Sequence, residues 1–151
     1  MTNDEKQNSA KQRKIKKILA YAVPIGLMMI IAILFVMFWG IYSTVKSVCQ
    51  TAQAEFGGDC VEALISYIEA DNHSFKEKNH AIWAIEQFGD KRAIPVLEKL
   101  YTGKPCEKPC QTDKYICQYG LEKAIKFSKK GGLFTPFIRS LLLAKQEKVK
   151  S

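Results

Sequence analysis

Residues 18–39 read ILAYAVPIGLMMIIAILFVMFW, 22 positions without an acidic or basic side chain. The uncharged stretch extends further, because none of the 28 residues between Lys17 and Lys46 carries a charge. A bilayer core of about 30 Å needs roughly 20 helical residues, so this run is long enough to span one. Pro24 and Gly26 weaken a helix in water but are common in spanning helices. Tyr21 near one boundary and Trp39 and Tyr42 near the other match the interfacial preference of amphipathic rings. A chain of 151 residues is too small to surround such a helix on all sides, which argues against a buried core helix.

The flanks give orientation. Six basic and two acidic residues precede the run (Lys6, Lys11, Arg13, Lys14, Lys16 and Lys17 against Asp4 and Glu5), whereas Lys46 is the one base in the dozen residues after it. The positive-inside rule places the N-terminus in the cytoplasm and exports everything after Tyr42. A cleaved signal peptide fits less well. The apolar run exceeds the roughly 7–15 residues of a signal core, and the small-x-small triplet Ala52-Gln53-Ala54 lies far beyond it. Residues 1–17 are therefore expected to form a cytoplasmic basic tail, 18–42 a transmembrane helix, 43–145 an exported helical domain and 146–151 a polar tail.

This division reinterprets the formal charge of +8. Half of it is the topology signal of residues 1–17. The rest is spread over 17 basic and 13 acidic residues of positions 43–151. A mixed-sign surface of that kind gives no footprint for nucleic acid, and none is expected as a partner.

Beyond the anchor, apolar residues recur at helical spacing. The stripes are Val61, Leu64, Ile65, Ile68; then Ile82, Ile85, Phe88 with Trp83 beside them; then Ala93, Val96, Leu97, Leu100; then Ile116, Leu121, Ala124, Ile125. No segment alternates with period two for long enough to predict a strand, so the fold class is all-α. Asp59-x-x-Glu62 and Ser74-x-x-Glu77 have the arrangement of reciprocal capping, and Thr135-Pro136 puts a cap before a proline at the first helical position.

The punctuation repeats. Glu55-Phe56-Gly57-Gly58-Asp59 answers Gln87-Phe88-Gly89-Asp90, and Val61, Leu64 and Tyr67 answer Ile94, Leu97 and Leu100, each 33 residues later. A period in the thirties with two helices per unit marks an α-solenoid. The stretch NHAIWAIEQFGDKRAIPVLEKLYTG, Asn79 to Gly103, resembles a HEAT repeat of the short bacterial kind. The resemblance implies a preceding degenerate unit over Ser43–Glu69, whose first helix continues from the membrane. It also implies the first helix of a following unit over Asp113–Lys129 and a last helix over Thr135–Lys145. About two to two and a half helix pairs are few for burying a continuous core, so a partner, the membrane or cross-links should assist.

Cysteines are the expected cross-links. Cys49, Cys60, Cys106, Cys110 and Cys117 all fall on the exported side, where disulfides persist. Cys117 is expected to pair with Cys106 or with Cys110, stapling a Pro-rich loop to the next helix. Cys49 and Cys60 are candidates too. Two antiparallel helices turning at Gly57-Gly58 would leave Cys49 roughly 9 Å too far along, so that bond requires the first helix to break. The odd count leaves one thiol unpaired within the chain or bonded to another chain.

A metal site is the sharper alternative, with Cys106, Cys110 and Cys117 joined by His73 or His80. The spacing Cys-x3-Cys-x6-Cys matches no common zinc or iron–sulfur pattern, and neither a metal nor a cofactor is expected. No Cys-x-x-Cys, phosphate loop, nucleophile elbow or metalloprotease helix is present, so no catalytic residue is assigned and the protein is read as a non-enzyme. The Asn72-His73-Ser74 acceptor pattern, the carboxylates Glu62, Glu69, Glu77 and Asp90, and the lysines Lys126, Lys129 and Lys130 are read as ordinary helix caps and solvated faces.

The expected function is protein–protein interaction by a single-pass, membrane-anchored module, an accessory subunit of a larger envelope complex. Trp83, Tyr101, Tyr115, Tyr119, Phe134, Phe137 and Leu141 are the candidate contacts, since aromatic side chains are favoured interface anchors. The alternative is a thiol-redox or lyase-like enzyme using the Cys106/Cys110/Cys117 loop, which the HEAT resemblance leaves open because some HEAT-like families act on bilin–protein adducts.

Overall fold

The structure is a computed structural model that describes residues 3–104, 110–131 and 140, with side chains from residue 20 onward. Every regular element among the described residues is helical, as the apolar spacing requires. The chain separates into two compact units, Met1–Ile41 and Tyr42–Ser151. Helix α1, Asn3–Phe56, begins in the first and ends in the second.

In the first unit, α1 carries its charged residues up to Lys17 and none beyond it. From Tyr21 to Trp39 its large side chains are between 55% and 72% exposed except Phe38, which is half-buried, and the helix from Ala20 onward is long and apolar enough to cross a membrane. Pro24 lies inside the helix without ending it.

In the second unit, the end of α1 turns amphipathic. Val45, Cys49 and Ala52, spaced i, i+4, i+7, are buried on one side. Helix α2, Cys60–Glu69, starts from an Asp59 cap whose Oδ1 accepts from the amides of Val61 (2.8 Å) and Glu62 (3.1 Å). Helix α3, Phe75–Phe88, starts from the predicted reciprocal box: the Ser74 side chain accepts from the Glu77 amide, and the Glu77 carboxylate accepts from the Ser74 amide at 2.9 Å. The Ser74 hydroxyl also donates to that carboxylate at 2.7 Å, and this bond, with the one from the Ser74 amide, holds the Glu77 carboxyl below its ordinary value. Gly89 ends α3 in the left-handed conformation (φ 55°), which costs a glycine little. A 3-10 turn, Lys91–Ala93, leads into α4, Ile94–Leu100, with Pro95 in its first turn. Helix α5, Gln118–Lys130, completes the described elements.

Helix α3 is central, packing against α2 and α5, while α4 also packs against α5. The stripes predicted from spacing supply the core. Leu64, Ile68, Ile82, Ile85, Phe88, Leu97 and Leu121 are fully buried, and Trp83, Val96, Leu100 and Ile116 are half-buried at its edge. The expected last helix over Thr135–Lys145 lies outside the described residues, apart from Ser140.

Two local expectations are corrected. Glu62 is not the partner of a second reciprocal box: its carboxylate accepts instead from Arg92 at 3.2 Å. And Cys49 bonds to Cys60, with Cα atoms 5.3 Å apart, although α1 runs unbroken to Phe56. The error lay in starting α2 at the height where α1 stops. Gly57 and Gly58 both adopt positive φ, 70° and 73°, and reverse the chain. The Gln53 amide then donates to the Gly58 carbonyl at 3.0 Å, drawing the loop back along the helix. Three loop residues reach the roughly 10 Å that separates the levels of Phe56 and Cys49.

Candidate interaction groove

A second disulfide organises the other side of the domain. Cys110 and Cys117 are bonded, with Cα atoms 5.8 Å apart, which resolves the pairing of Cys117 in favour of Cys110. Cys106 lies outside the described residues. Cys117 is buried and caps α5, its Sγ accepting from the Gly120 amide at 3.4 Å.

Asn79 anchors the segment closed by this bond. It sits in the first turns of α3, 9% exposed, and all its polar valences face the segment 112–117. Its Nδ2 donates to the carbonyls of Thr112 and Tyr115, each at 2.9 Å, and its Oδ1 accepts from the Cys117 amide at 2.8 Å. A buried amide satisfied by three backbone groups fixes both its own rotamer and the loop. Gln118 does similar work on the next side. Its Oε1 accepts from the Thr102 amide at 2.8 Å, and its Nε2 donates to the Leu100 carbonyl at 3.3 Å. The end of α4 and the start of α5 are thereby joined.

Between these anchored elements lies an open cleft of about 440 Å³. From α3, Asn79, His80, Ile82, Trp83 and Glu86 face it; from the stapled segment and α5, Thr112, Cys117 and Gly120; from α1, Thr44. Its volume falls within the roughly 300–1,000 Å³ of ligand clefts, and its lining combines apolar surface with few polar groups. Glu86 is half-buried, and that burial pushes its carboxyl above the ordinary value, with Lys123 pulling in the opposite direction. Lys123 is drawn elsewhere too, its ammonium lying 5.1 Å from the centre of the Tyr119 ring.

The predicted contact residues divide. Trp83 lines the cleft; Tyr115 and Tyr119 are exposed on its stapled side, at 37% and 40%; Tyr101 is half-buried and caps the end of α4. Phe134, Phe137 and Leu141 lie outside the described residues. The two histidines also part company. His80 lines the cleft. His73 stacks on Tyr67 at 3.6 Å between ring centres, with Nε2 3.2 Å from the Glu55 carboxylate in ion-pair range but out of line for a hydrogen bond. Among the described residues, no group of three or more His, Cys, Asp or Glu is placed to hold a metal ion.

Spacing alone missed Asn79, Gln118, Glu86 and Gly120. The signal for Asn79 was a polar residue in register with the α3 stripe, three residues before Ile82. That register marks a side chain that must be satisfied inside.

No known protein family, no curated protein and no solved structure matches this chain.

Proposed function

We propose that this chain is a single-pass membrane protein whose helical domain, a short HEAT-like solenoid, docks another protein on the exported side as an accessory subunit. The observation that carries the reading is the surface of α1 from Tyr21 to Trp39, where every large apolar side chain except Phe38 is more than half exposed. Each such side chain left in water forgoes roughly 1.5–3 kcal/mol of burial, so a lipid surrounding is strongly favoured. The six bases before it set the N-terminus in the cytoplasm.

The solenoid reading is supported by long-range spacing. Arg92 binds Asp59 across 33 residues, the period at which the Gly-Asp turns and apolar stripes recur. The docking role is supported by the cleft at α3, with a half-buried tryptophan on its wall. The cysteine loop reads as a staple, because Cys110 and Cys117 are bonded to each other and Cys117 is buried.

Alkaline carbonate extraction, external proteolysis of intact cells and cross-linked co-purification from native membranes test the proposal together. The protein should stay in the membrane pellet, its domain should be digested from outside, and a defined partner should co-purify. Release by carbonate overturns the anchor. Protection from external protease overturns the orientation. A monodisperse protein that yields no cross-linked partner overturns the docking role.

A further inference from the structure

We propose that the cleft between α3 and α5 receives a basic side chain of the partner, flanked by apolar residues that rest on Trp83 and Ile82. This deepens the docking role and rests on it.

The cleft is built to admit a side chain. Gly120 stands where α5 borders it, and a Cβ there would meet only Cys117 Cβ at 3.7 Å and Sγ at 3.8 Å, an ordinary contact. The backbone therefore has room for a Cβ at this position, where the glycine leaves that space beside Cys117 empty. Asn79 and the Cys110–Cys117 bond hold the adjoining segment in place, so little ordering remains to be done on binding.

Its charge selects the occupant. Glu86 is the one acidic group on the lining, half-buried beside apolar surface. Lys123 acts on that charge from α5, but burial outweighs its pull on the Glu86 carboxyl, and its ammonium lies 5.1 Å from the centre of the Tyr119 ring. His80, the other titratable group on the lining, is exposed. A cation on an aliphatic stem supplies what Glu86 lacks while its methylenes cover the apolar wall, and the Trp83 ring adds a cation–π surface. An anionic side chain would meet Glu86 directly. The domain's remaining charges are mixed in sign and screened beyond about 8–10 Å, so the local carboxylate decides.

The test uses the full chain in lipid nanodiscs with Trp39→Phe, which leaves Trp83 as the sole tryptophan emitter. The probes are acetyl-Ala-Leu-Lys-Leu-Ala-amide and its counterparts with glutamate or norleucine in place of lysine. The lysine peptide should change Trp83 emission saturably, about fivefold more tightly than the norleucine peptide, an advantage of roughly 1 kcal/mol. The glutamate peptide should not saturate. Glu86→Gln should erase the lysine advantage, Lys123→Gln should enlarge it, and Gly120→Leu should abolish all binding, with the thermal melt of each variant checking that the domain is folded. Equal affinity for lysine and norleucine, or an advantage that survives Glu86→Gln, overturns the proposal. If no peptide saturates yet a partner still co-purifies from membranes, the cleft chemistry is wrong and the docking role stands. If neither occurs, both fail.

Discussion

Arg92 donates to Asp59, a residue 33 positions earlier that caps another helix, while the same guanidinium clasps the neighbouring Asp90. Both carboxylates are helix-entry caps: Asp59 accepts from the first amides of α2, and Asp90 accepts from the Arg92 amide at the 3-10 turn. One side chain thus ties the start of α2 to the 3-10 turn that leads into α4. Its planar fork suits the task, since a lysine presents a point charge instead of a set of fixed donors.

Replacing Arg92 should therefore weaken the domain more than an ordinary surface substitution does. Asp90 is largely buried, with its side chain 7% exposed, and would lose the guanidinium while keeping the bond from the residue 92 amide, whereas Asp59, Glu62 and Arg92 itself are partly solvated. Discounting the exposed contacts for solvent screening, Arg92→Ala should cost about 1–3 kcal/mol, and Arg92→Lys about half of that. Denaturant unfolding of the full chain in detergent, followed by far-UV circular dichroism, measures it. An Arg92→Ala midpoint equal to the parent's would show the bridge to be inert.

The same bridge sets an acid limit. Burial raises the Asp59 carboxyl, but the Arg92 hydrogen bond, the amides of Glu62 and Val61 and the Arg92 charge outweigh it, leaving it below its ordinary 3.8. A depressed acid contributes stability that is present above its unfolded value and lost as pH falls through its folded one. The unfolding midpoint should accordingly drop as pH is lowered below about 4, and Arg92→Ala should flatten that drop. A parallel decline in the two proteins between pH 5 and 2 would contradict this assignment.

Glu86 has the opposite sign. Its carboxyl is raised by burial, so ionisation costs folding energy at neutral pH, and the advantage of its protonated form is lost as pH rises through the raised value. Glu86→Gln should raise the thermal midpoint at pH 7 and lose that benefit near pH 4, where the parent's carboxyl is protonated too. A residue that weakens the isolated fold in this way fits a cleft whose charge is answered by a partner.

The two disulfides close short loops, with sequence separations of 11 and 7. On the chain-entropy relation, each should contribute about 2–3 kcal/mol. Paired serine replacements at Cys49/Cys60 or Cys110/Cys117 should each lower the unfolding midpoint, and peptide mapping without reductant should recover these two pairings. Recovery of a Cys106–Cys117 peptide would overturn the second assignment.

Which parts were legible follows the range of the forces involved. The apolar run of α1, the Ser74–Glu77 box and the buried stripes of α2 to α5 depend on neighbours within four residues, and they appear in the structure as spacing predicts. The Asp59–Glu62 motif is equally local, yet Glu62 is claimed by Arg92 from 30 residues away. The Cys49–Cys60 bond depends on how far a three-residue loop doubles back, which helical rise alone does not fix. The cleft is less legible still, because Glu86 and Gly120 come together only once α3 and α5 have packed.

Asn79 is the sharpest case, and it yields the most discriminating prediction. In sequence it is one polar residue among Lys78 and His80; in the structure it satisfies the Cys117 amide and the Thr112 and Tyr115 carbonyls from a nearly buried position. Asn79→Leu fits the helix but strands three backbone groups, and leaving buried donors or acceptors unpaired costs about 1–3 kcal/mol apiece when water cannot reach them. With partial access through the cleft, the net loss should be about 2–4 kcal/mol. Asn79→Asp should be intermediate, since a carboxylate keeps the bond from the Cys117 amide and loses both donations to carbonyls. Amide hydrogen exchange locates the effect. Protection should fall first in segment 110–118, with α2 and the end of α1 little changed. Uniform loss across the domain, or none at segment 110–118, would show that Asn79 is not what holds the stapled wall.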